Sequence, residues 1–262
     1  MMIKDKIKKM PVDELVKRYS LTKTILGLVV LTLISLSLFF IAIDNTVAGY
    51  ACMALAYIIL VYLPYYYSRF SEGVLLILFD ELDPIRAIDF WDKTNALKGN
   101  VLAVNKGLFY VMMGQFDQGE YWLGQVNTEH IPKNLKATYM YTESLLHLLA
   151  HNEFNKKDFD QNIEALALNT KMEKVNQDRG RLLQAIAHLQ HEQTDDYFSR
   201  ISYSHPLDQL IASFYQGKNE LLLGNEDKAR QLFEEVARKN EEIYFVREAK
   251  RYLGEIDEHG KS

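Results

Sequence analysis

Two apolar runs near the N-terminus constrain the fold of this chain more than any other feature. Ile25–Ile43 and Val47–Leu63 contain no charged residue, and a three-residue polar connection separates them. Each run is close to the roughly 20 residues that a helix needs to cross a bilayer. Because a backbone in lipid must satisfy its own hydrogen bonds, both runs are expected to be helices. The sequence therefore predicts a transmembrane hairpin over residues 25–67, with helices at about 25–43 and 47–66.

Basic residues predict the orientation of this hairpin. Residues 1–24 form a basic segment, and the turn between the two runs carries no Lys or Arg. The basic side chains before the first run are Lys4, Lys6, Lys8, Lys9, Lys17, Arg18 and Lys23. Positively charged residues stay on the cytoplasmic side of a membrane. We therefore expect a cell-membrane protein with two spans and with both termini in the cytoplasm. The brevity of the anchor and the basic arm together favour a bacterial inner or plasma membrane.

The basic segment also has apolar residues at helical spacing. Ile3, Ile7 and Met10 form one such set, Val12 and Leu15 belong to a second, and a proline separates the two. One interpretation is an amphipathic segment that lies on anionic lipid. The other is that the lysines only set the orientation of the spans.

Small residues share one face of each predicted membrane helix. They are Thr32, Ser35 and Ala42 on the first helix and Ala48, Cys52 and Ala56 on the second. Small side chains let two helices in a membrane approach closely. The stripes are compatible with a homo-oligomer formed through the transmembrane helices. Packing of the hairpin on itself is favoured over this interpretation, because the short connection already holds the two helices together.

Composition and motifs argue against several classes of function. The 262-residue chain has a net charge of −5, which does not favour a nucleic-acid partner. Its single cysteine, Cys52, excludes an intrachain disulfide and a cysteine-rich zinc site. Glu143, His147 and His151 share a helix face, but no further metal ligand has a matching spacing. No phosphate-binding loop or catalytic motif is present, so we expect no enzyme, no metal and no cofactor.

After the hairpin, residues 72–258 are predicted to be helical throughout, and an internal repeat is visible. Asn100–Val126 and Leu210–Lys239 align so that Gly107 matches Gly217. The same alignment places Gly114 over Gly224. A glycine within a helix costs about 1 kcal/mol relative to alanine, so Gly107 and Gly217 are expected where a second helix passes closely. The second pair of glycines is expected to end a helix in the left-handed conformation.

Between and after these units the sequence predicts further helices. The expected elements are a hairpin of Leu135–His151 with Phe159–Asn169, a hairpin of Val175–His191 with Asp195–Ile201, and a last helix over Ile243–Ile256. A weaker unit before the first repeat has Ala87, Trp91 and Thr94 at second-helix positions.

At its repeat positions the chain resembles the tetratricopeptide repeat (TPR) family. The family pattern of small, aromatic and apolar residues is matched by Gly107, Tyr110, Gly114, Phe116, Gly119, Leu123 and Val126. In the later unit Glu220 and Glu226 replace the two aromatic residues. The resemblance implies an all-α architecture in which the transmembrane hairpin precedes a TPR-like α-solenoid of helical hairpins.

The resemblance also implies a binding groove, because such solenoids bind peptides or helices on a concave face lined by the first helix of each unit. The corresponding positions are Val101, Val104, Leu108, Met112, Ile211, Phe214, Lys218 and Leu222. The groove either holds an amphipathic helix of a partner or consists of ordinary interior packing. The resulting hypothesis is a non-enzymatic, membrane-anchored adaptor that binds a protein partner. The alternative is a regulatory or assembly subunit of a larger membrane complex, contacted by the transmembrane helices.

Overall fold

The computed structural model describes residues 2–200 and 205–259, and within these ranges every regular element is a helix. The chain divides into two compact units. The first comprises the residues up to Ile77 together with Arg86–Ala96. The second comprises Leu78–Ile85 and the residues from Leu97 onward. The all-helical class predicted from the sequence is confirmed for the described residues.

The first unit is built mainly from two long helices. Its elements are α1 (Met2–Lys8), α2 (Val12–Ala42), α3 (Thr46–Phe79, whose last two residues belong to the second unit) and α4 (Pro84–Thr94, which begins in the second unit). Within the described part of the chain, α2 and α3 are both long enough and apolar enough to cross a membrane. Asn45 begins α3 by accepting a hydrogen bond at its side-chain Oδ1 from the backbone N–H of Ala48, at 3.3 Å.

Both long helices extend beyond the predicted spans. The helix α2 begins at Val12 rather than at residue 25, and α3 continues to Phe79 rather than ending near residue 66. Hydropathy locates an apolar run, but polar residues continue a helix equally well. Asp13 and Glu14 are favourable in the first turn of α2 because they face the positive end of its dipole. Residue 72, the predicted start of the helical domain, therefore lies inside α3.

The hairpin packs on itself along one of the two predicted stripes. Ser37 Oγ donates a buried hydrogen bond to the carbonyl oxygen of Gly49 at 2.8 Å, which joins α2 to α3. Ala56 is buried on the same side of α3, and Cys52 is half-buried. By contrast Thr32, Ser35 and Ala42 are all exposed. The stripe on the second helix thus faces the first helix, whereas the predicted stripe on the first helix points outward.

An aromatic cluster lies where the two long helices meet α4. Tyr19 of α2 is surrounded by Tyr67, Phe70 and Phe90, with ring centroids at 5.5, 5.4 and 5.7 Å. Tilted and edge-to-face ring pairs at this distance stabilise a core beyond the burial of their area. Trp91 of α4 is buried in the same unit. The residues predicted as a weak repeat therefore belong to the unit that contains the long helices.

The N-terminal segment packs against protein. Ile7 is buried beside Gly73 of α3, and an added Cβ at Gly73 would lie 2.9 Å from Ile7 Cγ2. Arg86 of α4 donates from Nη2 to the carbonyl oxygen of Lys8 at 2.7 Å. Met10 is also buried. Of the apolar residues that an amphipathic lipid-binding segment would need, Ile7, Met10 and Leu15 are thus covered by the protein itself, whereas the side chain of Ile3 lies outside the described part of the structure.

The second unit is an array of packed helices. Its elements after α4 are α5 (Gly99–Met112), α6 (Phe116–Gly124), α7 (Lys133–His151), α8 (Lys156–Glu164), α9 (Thr170–Gln190), α10 (Tyr197–Arg200), α11 (Pro206–Leu222), α12 (Glu226–Ala237) and α13 (Tyr244–His259). They correspond to the predicted hairpins and last helix, with shifted ends. Asn169, predicted to end α8, instead caps α9 by accepting from the N–H of Met172. Ile201, the predicted end of α10, lies outside the described residues.

The two matched repeats show the same local geometry. An added Cβ at Gly107 would lie 2.7 Å from Leu123 Cδ2, and one at Gly217 would lie 2.8 Å from Phe233 Cε1. Both glycines therefore allow the second helix of their hairpin to pack closely, as predicted. Gly114 and Gly224 have φ values of +65° and +78°. These two predicted left-handed helix ends are confirmed.

The last helix returns to the first hairpin of this unit. Tyr244 of α13 packs against Phe116 of α6, with ring centroids 5.5 Å apart. Arg247 donates from Nη2 to the carbonyl oxygen of Met113 at 2.5 Å. Contacts between the last helix and the first hairpin do not occur in an extended solenoid, where each repeat contacts only its neighbours. The described helices of this unit instead form an array whose two ends are in contact.

Candidate functional site

The eight predicted groove residues do not form one surface. Leu108, Met112 and Ile211 line an internal cavity. Val104 and Phe214 are buried in the core, at 0% and 3% exposure. Val101 and Leu222 are exposed, at 41% and 39%, and Lys218 is half-buried.

Phe214 and Lys218 take part in the interior packing between helices. The ring of Phe214 contacts Phe233 and Phe245, with centroids 5.8 and 5.5 Å away. Lys218 Nζ lies 5.7 Å from the ring centroid of Tyr252, close enough for a cation–π contact. These side chains stabilise the packing of α11 against α12 and α13.

The internal cavity is the candidate functional site. It has a volume of about 470 Å³ and is bounded by α5, α7, α9, α10 and α11, together with Phe79. Most of its lining is apolar, including Leu108, Met112, Phe198 and Ile211. The first helices of successive hairpins meet here because each hairpin packs its first helix against that of the next. Volume and lining match those of small-molecule sites, which are largely apolar with a few placed polar groups.

The polar side of the cavity is formed by Tyr141, Arg179 and Asp208. The guanidinium carbon of Arg179 lies 4.7 Å from the centroid of the Tyr141 ring. Its Nη1 donates to Asn176 Oδ1 at 3.1 Å. Among the described residues, no carboxylate lies within ion-pair distance of Arg179. Its fork of N–H donors is thus held in place by a ring and an amide, without a direct counter-ion.

Burial shifts the pKa of each of these groups. It lowers the pKa of Arg179, an effect that Tyr141 and Asp208 oppose. It raises the pKa of Asp208, although His205 and Arg179 act in the other direction. Burial also raises the pKa of Tyr141 to about 12, so this phenol is neutral and is available as a hydrogen-bond donor. Both ionic groups are therefore poorly solvated, and each would gain from a ligand of opposite charge.

The start of α11 fixes the position of Asp208. Pro206 occupies the first turn, where its missing N–H costs nothing, and Asp208 lies in the same turn. The preceding residue, His205, is held by a 2.7 Å contact between its Nδ1 and Asp80 Oδ1. The carboxylate at Asp208 is therefore favoured by the helix dipole and presented from a rigid helix end.

A second depression, of about 590 Å³, lies between α7 and α8. It is lined by polar groups that include Glu143, His147 and Asp158. Glu143 already accepts a hydrogen bond from the hydroxyl of Tyr139 at 2.5 Å. No group of three or more potential His, Cys, Asp or Glu metal ligands occurs in the part of the chain that the structure describes. The smaller cavity is the better candidate because apolar and charged groups converge there.

Sequence reasoning did not identify Tyr141, Arg179 or Asp208. These residues lie on α7, α9 and α11, and the first two of these helices belong to hairpins whose irregular turns obscure the repeat register. One available signal was Gly180, next to Arg179. An added Cβ there would lie 3.2 Å from Phe159 Cδ1, so α8 packs closely and Arg179 is directed elsewhere.

The chain matches no family model, no curated protein and no solved structure.

Proposed function

We propose that this protein is a non-enzymatic, membrane-anchored adaptor whose TPR-like helical domain binds a protein partner in the cytoplasm. Two apolar helices would hold the domain at the bilayer. Tethering raises the effective concentration of a bound partner near the membrane without any new contact.

One observation carries the membrane part of this proposal. Of the 26 large apolar side chains that are exposed among the described residues, 20 lie between Leu21 and Tyr65. Soluble proteins rarely expose contiguous apolar surface of more than a few hundred Å². A pair of helices that exposes apolar side chains along most of its length fits a hydrocarbon environment.

The adaptor part rests on the second unit. Stacked helical hairpins with the glycine spacing of Gly107 and Gly217 resemble repeat domains that bind proteins. The cavity, at about 470 Å³, is in the size range of small-molecule sites rather than of helix-binding grooves. We therefore expect a partner helix to contact the mouth of the cavity, where Val175 and Asp178 are exposed.

A second candidate is a subunit of a larger membrane complex. It is favoured by the outward direction of Thr32, Ser35 and Ala42 on α2. Small residues on a lipid-facing side would let another membrane helix, including one from a second copy of this chain, pack closely.

Crosslinking followed by affinity purification of the full-length protein from its own membranes tests both candidates. A fragment that starts at Ser71 is unsuitable because it would divide α3. The better comparison is a triple variant, Thr32→Leu, Ser35→Leu and Ala42→Leu, which spares the Ser37–Gly49 contact inside the hairpin. A matched control carries Leu31→Ala and Leu38→Ala, which are also exposed.

An adaptor should recover the same partner with the wild-type chain, the triple variant and the control. Selective loss of partners in the triple variant would show that the membrane helices, rather than the helical domain, bind the partner. Recovery of no partner by any of the three chains would contradict both candidates.

A further inference from the structure

We propose that the cavity between α5, α7, α9 and α11 binds a small zwitterion, namely an α-amino acid with an apolar side chain. This ligand site goes beyond the adaptor function and does not depend on it. The charges that line the cavity, the apolar character of its remaining wall and its size together carry the proposal.

Two opposite charges face the same cavity from two helices. Arg179 comes from α9 and Asp208 from α11. They interact electrostatically, but in the described structure they do not come within the 4 Å of an ion pair. A guanidinium binds a carboxylate through parallel N–H donors, and a carboxylate accepts from an ammonium group. A molecule with both groups satisfies the two side chains at once.

Ligands with a single charge fit less well. A simple anion that binds Arg179 would also lie near Asp208 and near Asp178, which lines the same cavity. A simple cation that binds Asp208 would lie near Arg179. Because His205 and Asp80 are hydrogen bonded to each other beside Asp208, they also contribute to the charge around the site. A zwitterion adds no net charge and pairs with each sign.

The rest of the cavity fits an apolar side chain. Phe79, Leu108, Met112 and Ile211 supply aromatic and aliphatic surface. The neutral phenol of Tyr141 adds a hydrogen-bond donor beside Arg179. At about 470 Å³ the site lies in the range of small-molecule pockets, about 300–1,000 Å³.

Binding of three matched probes to the full-length protein in nanodiscs tests this proposal by titration calorimetry. The probes are L-phenylalanine, 3-phenylpropionate, which lacks the ammonium group, and 2-phenylethylamine, which lacks the carboxylate. L-Leucine and L-methionine extend the series to aliphatic side chains. We expect at least one of the three amino acids to bind. For phenylalanine we expect an affinity about tenfold or more above that of either analogue, because each analogue loses one charged hydrogen-bonding group.

Two variants show which side chain binds the carboxylate of the ligand and which binds its ammonium group. Arg179→Gln should weaken amino-acid binding about tenfold or more but should not weaken binding of 2-phenylethylamine, because it removes the positive charge near that amine. Asp208→Asn should weaken amino-acid binding to a similar extent but should not weaken binding of 3-phenylpropionate, because it removes the negative charge near that carboxylate. Asp178→Asn is the matched control, since Asp178 also lines the cavity but is exposed, and its effect should be small. The wild-type probe series remains informative if a variant misfolds.

The proposal is wrong if none of the amino acids binds, or if all three phenyl compounds bind equally. It is also wrong if a blocked peptide such as N-acetyl-Phe-amide binds more tightly than free phenylalanine. That outcome would assign the cavity to a partner polypeptide. Partner recovery from membranes is a separate readout, so failure of the ligand site and failure of the adaptor function remain distinguishable.

Discussion

Phe233 packs its ring edge against Gly217, where an added Cβ would lie 2.8 Å from Cε1 of the ring. Leu123 occupies the same place beside Gly107 in the first hairpin. This relationship joins the two helices of a hairpin at their closest approach, and it occurs at matched positions of the two aligned repeats.

Gly217→Ala should therefore destabilise the protein. The Phe233 ring is fully buried and stacks on Tyr252 at 5.2 Å, so it has little room to move. Overpacking costs about 1–3 kcal/mol, which exceeds the gain of about 1 kcal/mol from helix propensity. Gly107→Ala should cost less because Leu123 is more flexible than a ring. Gly254 of α13 has open space around it, so Gly254→Ala should be neutral or stabilising. Thermal unfolding of the purified full-length chain measures all three, and a Gly217→Ala midpoint at or above wild type would contradict this packing.

The ion pair of the buried Glu220 should make the stability of the protein depend on pH. Its side chain is 7% exposed and accepts from Lys228 Nζ at 2.5 Å and from Asn225. The hydrogen bond from Lys228 holds the pKa of Glu220 below its ordinary value. The pair therefore stabilises the fold above the unfolded pKa of about 4.3, and this contribution is lost as pH falls through the lower folded pKa.

Glu220→Gln should lower the free energy of unfolding at pH 7 by about 1–2 kcal/mol and reduce its dependence on pH in the acidic range. Glu241→Gln is the control. Glu241 pairs with Lys250, but this carboxylate is exposed and screened by solvent, so its replacement should change little. Denaturant titrations at pH 7 and pH 3 provide the comparison. Equal losses in the two variants would show that burial of Glu220 does not matter.

We expect Ile7 to hold α1 against α3. Replacing Ile7 by Asp places a charge against Gly73 and should release α1 from α3, while the apolar surfaces of α2 and α3 stay unchanged. Limited proteolysis of the membrane-bound chain should then cleave within the first ten residues faster than in wild type. Lys9→Ala changes an exposed residue and should not alter the cleavage rate. Unchanged proteolysis in Ile7→Asp would contradict the docking of α1 on α3.

Within the hairpin, Gly49 and Gly27 should respond differently to the same change. An added Cβ at Gly49 would lie 2.6 Å from Ile41 Cγ1 and 3.0 Å from the carbonyl oxygen of Ser37, whereas Gly27 has nothing within 4 Å. Gly49→Leu should separate α2 from α3 and lower the melting temperature in detergent, and Gly27→Leu should not. Similar effects of the two substitutions would indicate that the helices do not pack at Gly49.

Local sequence signals predicted the elements well. The apolar runs located both long helices, and glycine spacing located the close approach at Gly217 and the left-handed ends at Gly114 and Gly224. Each of these features depends on residues near one another in the chain. The predicted helix ends were less accurate, since both helices continue past their apolar runs, α2 back to Val12 and α3 on to Phe79.

Contacts between distant segments could not be predicted. The packing of Ile7 beside Gly73 and of Tyr244 against Phe116 depends on three-dimensional placement, which one sequence does not encode in a local pattern. The candidate site also depends on residues that are distant from one another in the chain. Arg179 and Asp208 lie on different helices and are ordinary surface residue types, so only the packed array places them on one cavity.

Cysteine accessibility would show whether α2 and α3 anchor a helical domain on the cytoplasmic side of the membrane. Cys52 is the only cysteine, so Cys52→Ser provides a clean background. Into it we would introduce Thr46→Cys, at the turn between the long helices, or Lys157→Cys, on an exposed position of α8. Both are labelled with a membrane-impermeant maleimide in intact cells that express the full-length chain. We expect labelling of Thr46→Cys in intact cells and of Lys157→Cys only after permeabilisation. Labelling of Lys157→Cys in intact cells, or protection of both positions, would contradict this expectation.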